Sequence, residues 1–358
     1  MELYLPILRG KRVGLVVHAA SRVGERLLPD TLLALGVDVR YLLVPEHGFR
    51  STADAGEEVT DSRDSRTGLP IVSLYGKQKE PPGSLMDSID VLVFDLQDVG
   101  VRFYTYLSTL HYCLSACAKS RTPMLLLDRP NPNIRKLDGP VLDTAFRSFV
   151  GLHPVPVVYG MTIGEYARML VGEKWLDAES QAEVTIIPCA HYTRDSVYVL
   201  PQRPSPNLPT ERSVLLYPSL AFFEGTIFSV GRGTSHPFTC FGAPGFSEKD
   251  FTFVPEPRLG ARHPKHQGKV CRGLDLRALP LETLRQEDSL RLQYLVSAYA
   301  GYAARDSFFL PGRFFDLLAG SDVLRKQLQE GLSAKEIRAS WQEDLKAFRR
   351  LRQPYLIY

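Results

Sequence analysis

The N-terminal third of this chain is a series of short apolar runs, each of which stops at polar residues. The runs are Arg12–His18, Asp38–Val44, Pro70–Leu74, Asp90–Asp95 and Met124–Asp128. They pass into His18-Ala-Ala-Ser21, Pro45-Glu46-His47-Gly48, Tyr75-Gly76-Lys77, Asp95-Leu-Gln97-Asp98 and Asp128-Arg129-Pro-Asn131. Short apolar runs bounded by turn residues read as buried strands. The segments between them carry helix signals. Pro29 suits the first turn of a short helix and Gly36 its end. Thr105–Lys119 places Leu107, Leu110, Leu114 and Cys117 on one helical face. Strands alternating with helices imply right-handed crossovers and a parallel sheet. Ligands of such sheets bind at the carboxyl ends of the strands. The carboxylates, arginines and amides at these strand ends therefore point to one crevice. The long polar loop Gly48–Gly68, with Asp54, Glu57, Glu58, Asp61 and Asp64, reads as a lid or site wall.

The texture changes near Val150. Val155–Tyr159 and Val184–Pro188 read as strands, and Thr162–Leu170 as a helix whose Thr162 and Glu165 form a capping box. The stretch Pro201–Gly245 is dense in Pro, Gly, Ser and aromatics. The tail reads as helices over Glu287–Ala304 and Gly320–Glu330, with another opened by Ser333 and Glu336. A chain of 358 residues exceeds one small core. The expected organisation is α/β: a Rossmann-like domain over 1–148, then a second α/β (α+β) domain over 149–358, with the site in the cleft between them.

Composition excludes several classes. With 44% hydrophobic and 23% charged residues the chain is of ordinary globular type, and a net charge of +3 gives no support to nucleic-acid binding. The basic stretch Arg258–Arg272 reads as a solvated loop. No apolar run is long enough for a membrane span. Met1-Glu-Leu-Tyr-Leu-Pro lacks the parts of a signal peptide. The expectation is a cytoplasmic protein if Met1 is native, and a periplasmic or otherwise exported one if a leader was removed. Cys113 and Cys117 fall on one helix face and read as buried thiols.

Nucleotide and metal chemistry find little support. The turn after the first strand has one glycine where a dinucleotide fingerprint needs three, and no Walker A pattern occurs. No H-E-x-x-H or paired C-x-x-C is present, and His263-x-x-His266 reads as a solvated pair. The nucleophile elbow G-x-S-x-G is missing. No cofactor and no metal are expected.

Other strings carry possible chemistry. Glu46 follows an apolar strand and stands one helical turn before Arg50. It reads equally as a partly desolvated general acid or as an ion-pair partner of Arg50. Asp95, Asp98, Arg102, Tyr104 and Tyr106 gather at a strand end and helix entry. Asp98 reads as a site carboxylate or a helix cap. Arg102 reads as an anion binder or a partner of Asp95 or Asp98. Asp128-Arg129-Pro130-Asn131-Pro132-Asn133 fixes polar groups on a proline-stiffened turn. Asn207 in SPNLP, Glu224 in FEGT and Arg232 in SVGRGT suit the opposite wall of a cleft, or ordinary turns.

Together these strings resemble one family. They are PEHGFR at Pro45–Arg50, TGLPIVSLYGK at Thr67–Lys77, VFDLQDVGVRFYTY at Val93–Tyr106, LDRPNPN at Leu127–Asn133, DGPVLD at Asp138–Asp143, SPNLP at Ser205–Pro209, and FEGT with SVGRGT at Phe223–Thr234. The resemblance is to the NamZ-type exo-β-N-acetylmuramidases, long catalogued as a domain of unknown function. It runs from about Lys11 to Tyr358. It implies cleavage of N-acetylmuramic acid from the non-reducing end of peptidoglycan fragments, with Glu46 as the catalytic acid. The chain departs from the family pattern at His18, at Ser51 and at Ser115.

On this reading the substrate is a peptidoglycan-derived sugar. Glu46, Asp95 and Asp98 are the expected catalytic carboxylates, with Glu224 or the substrate's acetamido group as a further support for an oxocarbenium-like transition state. His18, His47, Arg50, Arg102, Tyr104, Asp128, Arg129, Asn131, Asn207, Glu224 and Arg232 are the expected binding residues. The lactyl carboxylate asks for an arginine. Arg102 and Arg232 come first, ahead of Arg50 and Arg129. The rival reading is a non-catalytic binder of muropeptides or acidic sugars.

Overall fold

The computed structural model describes residues 1–46, 62–179, 181–247 and 251–358. Its centre is a sheet of six parallel strands. They are β1 Arg12–Val17, β2 Asp38–Val44, β3 Pro70–Ser73, β4 Val91–Asp95, β5 Met124–Leu127 and β6 Val184–Ile187. The spatial order is β3-β2-β1-β4-β5-β6, and a short antiparallel strand at Ser62–Arg63 flanks β3. This is the doubly wound order expected for a Rossmann-like sheet. The strands alternate their side chains between two apolar layers. Val16, Leu43, Leu92 and Phe94 face one layer, while Leu15, Val17, Leu42, Val44 and Val93 face the other. Both faces are buried, so these strands read as unbroken apolar runs.

Helix α1 spans Leu28–Ala34 and α2 spans Tyr106–Ser120, close to their expected limits. Cys113 and Cys117 of α2 are buried free thiols. Helix α3, Ile163–Gly172, carries the expected capping box between Thr162 and Glu165. Val155–Tyr159 is not a strand. Val158 makes isolated bridges to Val101 and Asp138, and the segment is packed inside the core.

The second half builds α4 over Glu211–Leu220 and a small antiparallel sheet of β7 Cys240–Ala243, β8 Phe251–Phe253 and β9 Cys271–Asp275. A helical tail follows. It includes α5 at Leu292–Gly301, shorter than the Glu287–Ala304 helix expected, and α6 at Ala334–Ser340 with its capping box. The packing does not divide at residue 148. β6 completes the main sheet from beyond that point, and one core cluster joins Val16 and Phe94 to Phe222, Phe315 and Phe348. No described helix is long and apolar enough to cross a membrane.

Candidate active site

Strand β2 delivers Glu46 to the wall of a cavity of about 350 Å³, within the usual size range of small-ligand sites. Thr105, at the entry to α2, donates its Oγ1 hydrogen to Glu46 Oε2 at 2.9 Å. Tyr75, just past β3, hydrogen-bonds the same carboxylate. Burial pushes its phenol well above the ordinary tyrosine range, and the Glu46 charge pushes it further. Three consecutive strand-end or helix-entry segments thus converge on one carboxyl group.

Other lining residues come from the second half. Ser205, Asn207, Glu224 and Arg232 all line the cavity. Arg232 Nε donates to Glu224 Oε2 at 3.0 Å, and its guanidinium lies 5.0 Å from the centre of the Phe238 ring. Arg232 Nη1 is buried and has no hydrogen-bond partner among the described residues. The Arg232 side chain as a whole is still 22% exposed, and a guanidinium in a cavity wall suits an anionic ligand. Asn207 Nδ2 is held by the Gly260 carbonyl at 2.7 Å, and Tyr104 donates to the Pro204 carbonyl at 2.9 Å. Both therefore shape the wall with their polar tips anchored. Aromatic rings supply the apolar lining. Tyr217 packs edge-on against Phe103 and Phe238, and Tyr75 against Phe149. Such surfaces suit the C–H faces of a sugar.

Several expected site residues lie elsewhere. Arg102, expected as an anion binder, does not line the cavity. It is buried and its guanidinium donates to the carbonyls of Pro140, Val155 and Leu318, at 2.8, 2.7 and 2.9 Å. It pairs with neither Asp95 nor Asp98. Burial lowers its pKa to about 9. Asp95 and Arg129 form a two-point ion pair at 2.6 and 2.9 Å, away from the cavity. Asp98 caps no helix. It accepts from the Tyr159 hydroxyl and, at 2.7 Å, from Gly100 N. Burial raises its pKa to about 6. Gly100, at φ 76°, packs where a Cβ would fall 2.2 Å from Asn131. Asn131 itself donates to the Met161 carbonyl.

Asp128 accepts from Thr162, Gly164 N and Tyr358, and burial raises its pKa to about 6. His18 is buried. It accepts at Nε2 from Gln97 N at 3.0 Å and lies 3.2 Å from the Tyr106 hydroxyl at Nδ1. The ends of β1, β4 and β5 are thus filled by the protein's own side chains, and the open cavity sits at the ends of β2 and β3. His47 and Arg50 lie outside the described residues, as does most of the polar loop expected to form a lid. Among the described residues, no group of three or more His, Cys, Asp or Glu side chains could hold a metal ion.

Two family models divide the chain between them. Residues 13–212 match "Exo-beta-N-acetylmuramidase NamZ, N-terminal" and residues 215–358 match "Exo-beta-N-acetylmuramidase NamZ, C-terminal". The chain belongs to the NamZ family. Within that family it is 35% identical to the peptidoglycan beta-N-acetylmuramidase NamZ of Bacillus subtilis (strain 168), over 99% of this chain and 89% of the relative. A DUF1343 family protein from Bacteroides fragilis NCTC 9343, known from a crystal structure, superposes with a TM-score of 0.92 at 42% identity, covering 100% of this chain and 96% of the other. A second DUF1343 protein from the same organism gives 0.84 at 28% identity, with the same coverage. The NamZ family models meet between residues 212 and 215, inside α4 rather than near 148.

Thr105, Tyr217, Phe238 and Phe149 were not singled out by sequence reasoning. A lone threonine at a helix entry ordinarily signals a cap, and aromatics in a loop-rich stretch ordinarily signal core. Lys265 was hidden in a stretch that reads as solvated.

Proposed function

We propose that this protein is an exo-acting β-N-acetylmuramidase that releases terminal N-acetylmuramic acid from the non-reducing end of peptidoglycan fragments. The observation that carries this is that Glu46 and a partly exposed arginine, Arg232, line one cavity. N-acetylmuramic acid differs from N-acetylglucosamine by a lactyl ether that adds a carboxylate, and Arg232 offers that carboxylate a donor. Glu46, acting as general acid, gives its proton to the glycosidic oxygen as the C1–O bond breaks. Water completes the hydrolysis at C1. Thr105 and Tyr75 hold the Glu46 carboxyl in place. Positive charge developing at the sugar ring is opposed by Glu224 or by the substrate's own acetamido oxygen. Asp95 and Asp98, the other carboxylates expected for this role, do not line the cavity and are engaged by Arg129 and by Tyr159 with Gly100.

The test is release of free N-acetylmuramic acid from a MurNAc–GlcNAc disaccharide or a chromogenic β-MurNAc glycoside. Turnover supports the enzyme. Tight binding without turnover would favour the rival, a non-catalytic binder.

A further inference from the structure

The Glu224–Arg232 pair, which lines the same cavity as Glu46, does not hold itself in place. Glu224 sits in the turn Ala221–Gly225, and its loop continues through Thr226 and Phe228. The carbonyls of this loop converge on one ammonium. Lys265 Nζ lies 2.9 Å from Phe228 O, 3.1 Å from Phe223 O and 3.4 Å from Glu224 O, and it also donates to Thr226 O. Next to it, His266 Nε2 meets the Ile227 carbonyl. An ammonium has three donors and no acceptor. Phe223 O also accepts from Thr226 N and Thr226 Oγ1, but without the ammonium the carbonyls of Glu224, Thr226 and Phe228 would lose a charged donor partly out of water, which is costly.

The same segment also braces the arginine. Gly233, at φ 79°, packs where a Cβ would fall 2.7 Å from Pro264, the residue before Lys265. The Lys265 segment therefore touches the loop that carries Glu224 and the loop that carries Arg232.

We infer that Lys265 is a positioning residue for substrate selection, holding the Glu224 loop so that Glu224 fixes Arg232 at Nε and keeps its guanidinium in the cavity wall for the substrate carboxylate. This rests on the muramidase reading above. Lys265 lines no part of the cavity, so its effect passes through the pair. The charged groups facing it are Glu224 and Arg232, with His266 and Lys269 on its own segment. Burial lowers its pKa to about 8, so the ammonium is mostly charged at neutral pH and is lost as pH rises further.

The experiment compares Lys265→Met and Lys265→Arg with the wild-type protein on chromogenic β-MurNAc and β-GlcNAc glycosides, with circular dichroism and thermal unfolding alongside. Wild-type turnover of the MurNAc glycoside is measured first. K265M is expected to raise KM for the MurNAc substrate by about tenfold or more, the scale of one charge-assisted contact. Its kcat/KM on the GlcNAc substrate should change by less than about threefold on the same scale. K265R, which keeps the charge, is expected to recover part of the preference. Equal loss on both sugars, or no loss on either, overturns the inference while leaving the muramidase reading intact. A wild-type protein without MurNAc turnover removes both.

Discussion

Thr105 Oγ1 gives its hydrogen bond to Glu46 Oε2 rather than to the backbone of its own helix. Thr105 occupies the N-cap position of α2, yet no side-chain cap forms there. The contact joins the end of β2 to the entry of α2 and fixes the carboxyl that the proposed chemistry depends on. Thr105→Val keeps the shape and removes the donor. Its kcat on a β-MurNAc glycoside should fall about 10–100-fold, because small misplacements of a catalytic group are expensive. KM and the urea midpoint should stay close to wild type. An unchanged kcat would remove Thr105 from the account.

Arg232 is the expected reader of the lactyl group. The wild-type enzyme should cleave a β-MurNAc glycoside at least about tenfold more efficiently than the β-GlcNAc analogue, since a hydrogen bond to a charged group contributes about 1.5–3 kcal/mol. Arg232→Met should shrink that ratio toward unity, mainly by slowing the MurNAc reaction. A preference that survives the substitution would place carboxylate recognition elsewhere.

Arg102 should behave oppositely. Its three carbonyl partners come from segments far apart in the chain, including Leu318 in the tail. Arg102→Met leaves those acceptors buried and unpaired. The expected loss is on the order of 3 kcal/mol of stability, read as a lower urea midpoint, with the MurNAc preference unchanged in the folded fraction. A loss of preference without loss of stability would return Arg102 to the site.

Asp98 gives a prediction in pH. Burial, the largest influence, raises its folded-state pKa to about 6, above an unfolded value of about 3.9. Between those values the folded protein holds the proton more tightly than the unfolded chain. The contribution of Asp98 to stability is therefore present below about pH 4 and declines as pH rises to 6. Asp98→Asn cannot titrate. The stability of wild type relative to D98N should fall by on the order of 2 kcal/mol from pH 4 to pH 7. Urea midpoints at several pH values measure it, and a constant difference would contradict the shift.

Sequence reading reached the sheet because both of its faces are buried. Leu15 and Val16 face opposite layers yet both are apolar, so the run is visible without any partner. The cavity was legible at Glu46, Asn207, Glu224 and Arg232, which share turns rich in Gly and Pro. It was not legible at Asp95, Arg129, Asp98 and Asp128. These occupy the strand ends where ligands usually bind, but each is engaged by a neighbour, Asp98 through Oδ2 alone. A carboxylate that closes a strand end and one that opens onto a ligand have the same sequence signature. The role of Arg102 was invisible for a related reason, since its partners are carbonyls, which every residue has. Lys265 lay among exposed basic residues such as Arg262 and Lys269, and its cage depends on a loop far off in the chain.

The proposed chemistry rests on Glu46 as the acid of a glycosidase. Its most direct test is the kcat of Glu46→Gln on a MurNAc–GlcNAc disaccharide, whose sugar leaving group needs protonation. The expected result is a fall of about 10²–10⁴-fold, with N-acetylmuramic acid binding and the urea midpoint nearly unchanged. A variant that keeps more than about half of wild-type kcat would contradict it, because a group supplying general-acid catalysis cannot be removed at so small a cost.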